Sequence, residues 1–198
     1  MGWVVFLSVC LVIIMIPVML YNNLIRLRNQ GRNALQQVTV QLQRRHELIP
    51  NLVETARAYL QHERETLEAV TRARQQAVDF QKSLAHQSLA DSPQLLQGLE
   101  KVEHALTASL AQFRLVAENY PELKADSVMQ QLMDELVNTE NRVGFARQAY
   151  NDQVMHYHNG RETFPGNVIA NTFNFLPLQT LAVDRVAVQQ PVQVQFPR

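Results

Sequence analysis

The chain has 198 residues, enough for one sizeable core with appendages and no reason for two domains. Its 18 lysines and arginines balance 18 aspartates and glutamates, so nothing favours nucleic acid or an acidic polymer as partner. The single cysteine, Cys10, excludes an internal disulfide framework and a cysteine zinc site.

No charged side chain precedes Arg26. Residues Trp3–Leu20 form an apolar run about long enough for a hydrocarbon core of roughly 30 Å at 1.5 Å per residue. Trp3 and Tyr21 flank it, where amphipathic rings prefer the interface, and Pro17 is tolerable near the end of a membrane helix. A cleaved signal peptide would need a basic start and a small-residue cleavage site, and the chain has neither. A lipoprotein reading of Leu7-Ser8-Val9-Cys10 comes too early and has valine where a small residue is needed. Residues 1–21 therefore read as an uncleaved anchor. Cys10 is then a small apolar filler, with palmitoylation the minor alternative. Arg26, Arg28 and Arg32 follow the span, so the positive-inside rule puts the N-terminus outside and the body in the cytoplasm.

From Tyr21 the helical pattern continues, and Leu24, Gly31, Leu35, Val38 and Leu42 keep the spacing of a coiled-coil seam. Pro50 interrupts it chemically, since proline lacks the amide hydrogen and crowds the carbonyl four residues back. Ile49, Leu52 and Ala56 nevertheless hold the same phase, with Arg45 at the missing seam position. The prediction is one bent, continuous helix with its bend at Pro50, running to about Gln81. Along its later part, Glu63, Arg64, Glu65, Arg72 and Arg74 read as solvated flank charges.

Ser92-Pro93 opens a second helix to about Asn119, which Tyr120-Pro121 ends. A third, capped by Asp126 or Ser127, carries a seam from Leu132 through Val143 and Tyr150 to Tyr157 and stops at Phe164-Pro165-Gly166. The fold class is all-α: a transmembrane helix continuing into a long bent helix, packed with two further antiparallel helices as a coiled-coil-like bundle. Residues 22–166 form the bundle, with a membrane-proximal stalk at 22–50. Residues 167–198 form a short helical turn and an extended or disordered tail, in which Val186–Phe196 alternates around Pro191.

The second helix spans roughly 40 Å against roughly 90 Å for Tyr21–Gln81, so folding back it reaches only to about Leu60. An uncovered apolar stripe along the stalk is unfavourable in water, and the simplest cover is a second copy of the chain. The expectation is a homo-oligomer through Leu24, Gly31, Leu35, Val38, Leu42, Arg45 and Ile49.

Several stretches resemble the LemA family of bacterial single-span membrane proteins: Tyr21–Asn29, Val40–Glu63, Ala117–Ala125 and Glu140–Ala170. The Arg-Arg…Leu-Ile-Pro-Asn-Leu-Val-Glu block from Arg44 to Glu54 is the specific part. Leu35, Thr39 and Gln43 depart from the family's usual tryptophan, aspartate and lysine. The resemblance implies an all-α antiparallel bundle behind an anchor in the bacterial inner membrane, with no established catalysis. It also implies work beside a membrane metalloprotease or other membrane proteins.

Candidate chemistry is sparse. His62-Glu63-Arg64-Glu65-Thr66 begins like a zinc HExxH motif but has threonine where the second ligand belongs. His156 and His158 are two apart and cannot share a metal on one helical face. No catalytic residue, metal or cofactor is therefore expected. Arg44 and Arg45 are the sharper case, read either as solvated charge on a helix face or, for Arg45 on the seam, as an interface residue. A seam arginine needs a carboxylate, for which Glu47, Glu54 and Glu140 are candidates, and the pair would fix register in a polar layer with Asn141 and Arg142. Tyr150, Asn151 and Tyr157 read as core residues with hydrogen-bonded tips. The expected function is a membrane-anchored scaffold that self-associates through its stalk and organises other membrane or cytosolic proteins. The alternatives are a regulatory adaptor of a membrane metalloprotease and, third, a hydrolase.

Overall fold

A computed structural model describes residues 2–84 and 89–182, and the described part is helical without strands. Helix α1, Gly2–Arg57, has 56 residues and is about 84 Å long at 1.5 Å per residue. It passes through Pro17 and Pro50 without a break. The reason at Pro50 lies in its neighbour. A proline there cannot donate to the His46 carbonyl, four residues back. The Arg74 side chain supplies the missing donor, its Nε lying 2.7 Å from His46 O. The backbone acceptor freed by the proline is thus satisfied from another helix, which offsets most of the cost of leaving it bare.

Unlike the expectation, the first helix stops at Arg57, and a turn over residues 58–63 reverses the chain. Tyr59 and Leu60 both donate backbone N–H to Ala56 O, and Leu60 is buried. Tyr59 donates its hydroxyl to Asp126 at 2.8 Å, while Tyr120 donates its own to Glu63 at 3.2 Å. No glycine or proline marks this turn in the sequence; side chains from distant segments hold it.

Helix α2, Arg64–Ser83, then runs back along α1, with Arg74 level with His46 and Gln81 donating to Thr39 O. After a short 3-10 turn at Leu89–Asp91, helix α3, Pro93–Ala117, descends again beside α2. Ser92 has the extended backbone of an N-cap and Pro93 fills the first turn. A single turn of helix, α4 (Pro121–Ala125), leads to α5, Ser127–Glu162, whose first turn is capped by the Asp126 carboxylate accepting from Met129 N. That hydrogen bond holds the Asp126 carboxyl below its ordinary value. A last short helix, α6, covers Gly166–Thr172. Among the described residues the bundle therefore has four long helices in alternating directions, not three. Its closest pairings are α1 with α5 and α2 with α3.

With 36 residues, α5 is about 54 Å long and accompanies α1 from Arg44 up to Leu24. Gly160 makes the upper contact, since a Cβ there would lie 2.8 Å from Leu27 Cδ1. Leu24, Gly31, Leu35, Val38, Leu42, Arg45 and Ile49 are all buried within the single chain. The stalk seam expected to require a second copy is closed by α5 and by the residues that follow α6. The argument for self-association through it lapses. Length explains the difference: the last long helix, α5, runs beside the N-terminal half of the seam as far as Leu24.

A double-mutant comparison checks the role of Arg74. Arg74→Ala should lower stability to urea by about 1–3 kcal/mol, the usual cost of an orphaned buried acceptor. In a Pro50→Ala background, where the helix supplies its own donor, the same change should cost measurably less.

Candidate functional site

Two arrangements bring polar groups together inside the bundle. The first is a buried layer at the level of Arg45. Helix α3 presents Leu96, Leu99, Glu103, Leu106, Leu110 and Phe113 on its inner face, so Glu103 points into the core in place of an apolar residue. It is only 1% exposed. His46 hydrogen-bonds Glu103 Oε1 through Nε2 at 2.8 Å, and Arg45 Nη1 stands 4.0 Å from Glu103 Oε2. Arg45 also donates to Thr107 Oγ1 at 2.7 Å, and that hydroxyl in turn donates to the Glu103 carbonyl. Burial pulls the Arg45 guanidinium below its ordinary value, and the carboxylates of Glu103 and Glu140 push it back.

The carboxylate expected for Arg45 therefore exists, but it is Glu103. Of the expected partners, Glu47 accepts from Gln43 at 3.0 Å and Glu54 pairs with Arg57 at 3.2 Å, both on the surface of α1. Glu140 pairs with Arg114 across α3 and α5 at 3.4 Å, and Asn141 and Arg142 are exposed. Arg44 reaches Glu135 on α5 at 2.6 Å in a half-exposed pair. These seven residues do not form one layer. The buried set is Arg45, His46 and Glu103, with the half-buried Thr107 bonded to Arg45; of these only Arg45 was expected in the layer. One signal could have found Glu103: a lone acid within a helical apolar stripe. Arg74, expected in solvent, is half-buried against His46 O.

The second arrangement is a strap. After α6, Asn174 takes a left-handed backbone with φ of 52°, which asparagine tolerates, and Phe175 N closes on Ala170 O at 2.9 Å. Residues 175–182 then run extended beside α5, held by its side chains. Arg161 donates to Phe175 O, Tyr157 to Leu176 O, His158 to Leu178 O and Tyr150 to Gln179 O. Asn151 both donates to Leu181 O and accepts from Leu181 N, each at 2.9 Å. Phe175, Leu178 and Leu181 point inward between these rungs, and Gly31 leaves the space that Leu178 fills. The tips of Tyr150, Asn151 and Tyr157 thus bond as expected. Burial raises the Tyr150 hydroxyl to about 12. The alternating Val186–Phe196 stretch lies outside the described residues.

His62 lies in the turn before α2, not on a helix, and the adjacent Glu63 is engaged by Tyr120. His158 is spent on the strap. Among the described residues no group of three or more His, Cys, Asp or Glu side chains is placed to hold a metal. An open groove at the far end of the bundle, between the end of α1 and α2, is lined by Val53, Leu60 and Leu67 with Arg57, Arg64 and Arg72.

An antiparallel helical bundle with an apolar N-terminal extension and a sealed polar layer defines the structural class. The family model described as LemA matches residues 34–196, most of the chain, and the protein belongs to the LemA family. A comparison with curated proteins yields no match.

Glu103→Leu should destabilise the bundle by about 3–5 kcal/mol in chemical denaturation, because it strands Arg45 in the core. Adding Arg45→Met should recover much of that loss, whereas a solvated arginine would make the second change neutral.

Proposed function

We infer that this protein is a non-enzymatic, membrane-anchored helical module that holds other membrane or cytosolic proteins beside the bilayer. The observation that carries the reading is a change of character within one unbroken helix. Before Leu20, the described side chains of α1 are apolar apart from Ser8 and mostly exposed, including Trp3, Phe6, Leu11, Ile13 and Ile14. From Leu24 onward the same helix buries a single stripe in the bundle. A segment exposed and apolar on all sides suits lipid, while a one-sided stripe suits a core in water. Because no break separates the two, the body is coupled rigidly to its anchor.

The polar layer supports a binding role over a catalytic one. Arg45, His46 and Glu103 are buried and do not line the far groove, so they fix helix register without access for a substrate. The far groove sets Val53, Leu60 and Leu67 beside Arg57 and Arg64, which are paired with Glu54 and Glu68, and beside Arg72, and it is the surface on which we place a protein segment away from the bilayer. Arg26, Arg28 and Arg32 favour a cytoplasmic body in the inner membrane. The stalk supplies no separate ground for a second copy, since its seam is already covered.

Photo-crosslinking from Arg72 and Gln75 in intact membranes tests this reading. Both positions should capture the same discrete protein, and Arg57→Glu should reduce the adduct at least several-fold. The protein itself should stay in the membrane pellet through alkaline carbonate. Release by carbonate, or adducts no different from those formed at exposed Val40 on α1, would contradict it.

A further inference from the structure

Four large apolar side chains lie exposed within a short stretch around α6: Phe164, Val168, Phe173 and Leu176. Phe164 is 83% exposed, more than any described side chain of the apolar span. Such a cluster is uncommon on a surface that meets only water. Its position is fixed by contacts with α1. Gly160 on α5 packs against Leu27 and Leu24, so α5 reaches this level travelling toward the N-terminal end of α1. The chain then continues past Glu162 into the corner at Phe164 and α6. There the Tyr21 ring meets Phe173 edge-on at 4.9 Å and Phe175 at 5.5 Å. Tyr21 and Leu20 are where the exposed apolar band of α1, ending in Val18 and Met19, gives way to the bundle.

Glycine makes this corner possible. A Cβ on Gly166 would collide with the carbonyl oxygen of Gly160, so only glycine lets α6 fold back closely on the end of α5. Phe175 is buried beneath the corner with the Arg28 guanidinium 5.8 Å from its ring centre. Arg26 is exposed just below, on the bundle side of the apolar band. The vertical order is therefore apolar span, apolar collar with tyrosine and phenylalanine rings, then arginine. A membrane interface selects the same order: acyl chain, aromatic belt, then anionic headgroups.

We propose that the α5–α6 corner is a second membrane contact, with Phe164 and Val168 seated in the lipid interface beside the span. The occupant of the patch is lipid of the bilayer that holds α1, because the patch continues the apolar band of that helix and ends at its arginine flank. Attachment at two points sets the orientation of the bundle, which one helix alone leaves free to rotate about its own axis. The proposal rests on the anchor reading of residues 1–21.

The test uses the full chain in lipid vesicles and its single native tryptophan, Trp3. Wild-type Trp3 reports the span. The variants Trp3→Phe/Phe164→Trp and Trp3→Phe/Val168→Trp report the collar, and Trp3→Phe/Phe145→Trp reports the exposed middle of α5. Lipids brominated near the headgroup end of the chain should quench Trp3 and the tryptophans at 164 and 168. Aqueous acrylamide should quench only the tryptophan at 145 strongly. If Trp3 is quenched by lipid while 164 and 168 respond to acrylamide as 145 does, the collar proposal fails and the anchor stands. If Trp3 also escapes the lipid quencher, the anchor reading fails and takes the collar with it. Shielding of 164 and 168 from both quenchers means that protein covers the patch, which overturns the proposal too.

Discussion

The structure depends on the packing of α5 along the stripe of α1 that runs from Leu24 to Ile49. Among the described elements these two helices make the most extensive contact, and the buried stripe of α1 is apolar except at Arg45 and His46. Its burial supplies the main driving force for holding the C-terminal half of the chain against the N-terminal half. Everything nearer the exposed apolar end of α1 follows from it. Only because α5 rises as far as Gly160 can the strap return over Gly31, and only then does α6 reach Tyr21.

Polar groups in this fold serve geometry. A helix pair buried through aliphatic side chains alone can slide by a turn at little cost. Arg45 and His46 meeting Glu103 from α3, with Thr107 beneath, leave one register in which the buried charges are paired. The strap obeys the same logic with backbone acceptors. Each rung from α5 meets a carbonyl that an extended segment would otherwise leave bare, so the segment gains order without a sheet.

Much of this was legible in the sequence, and the failures have physical causes. The uninterrupted phase on both sides of Pro50 identified a continuous helix, but the Arg74 side chain that makes it tolerable comes from another helix and leaves no local mark. The turn after Arg57 was missed because it contains neither glycine nor proline; Tyr59 and Glu63 are held by Asp126 and Tyr120, each about 60 residues away in the chain. Seam spacing correctly picked the buried residues of α1, yet could not say what buried them. Helix lengths could have: at 36 residues, α5 runs on along the stalk until Gly160 packs against Leu27 and Leu24, whereas α3, at 25, meets only its lower part, where Glu103 reaches His46. The hydrogen-bonded tips of Tyr150 and Tyr157 were readable from residue chemistry. Their partners, plain backbone carbonyls in an extended segment, were not.

The central claim is that one chain closes its own stalk. It is tested most directly by placing cysteines at Leu27 and Gly160 in a Cys10→Ser background, co-expressing two differently tagged copies, and treating the cells with a short, cell-permeant thiol cross-linker. The account predicts a link within each chain, migrating as a monomer, with no pairing of the two tags. Efficient linkage of one tag to the other, with little internal product, would contradict it.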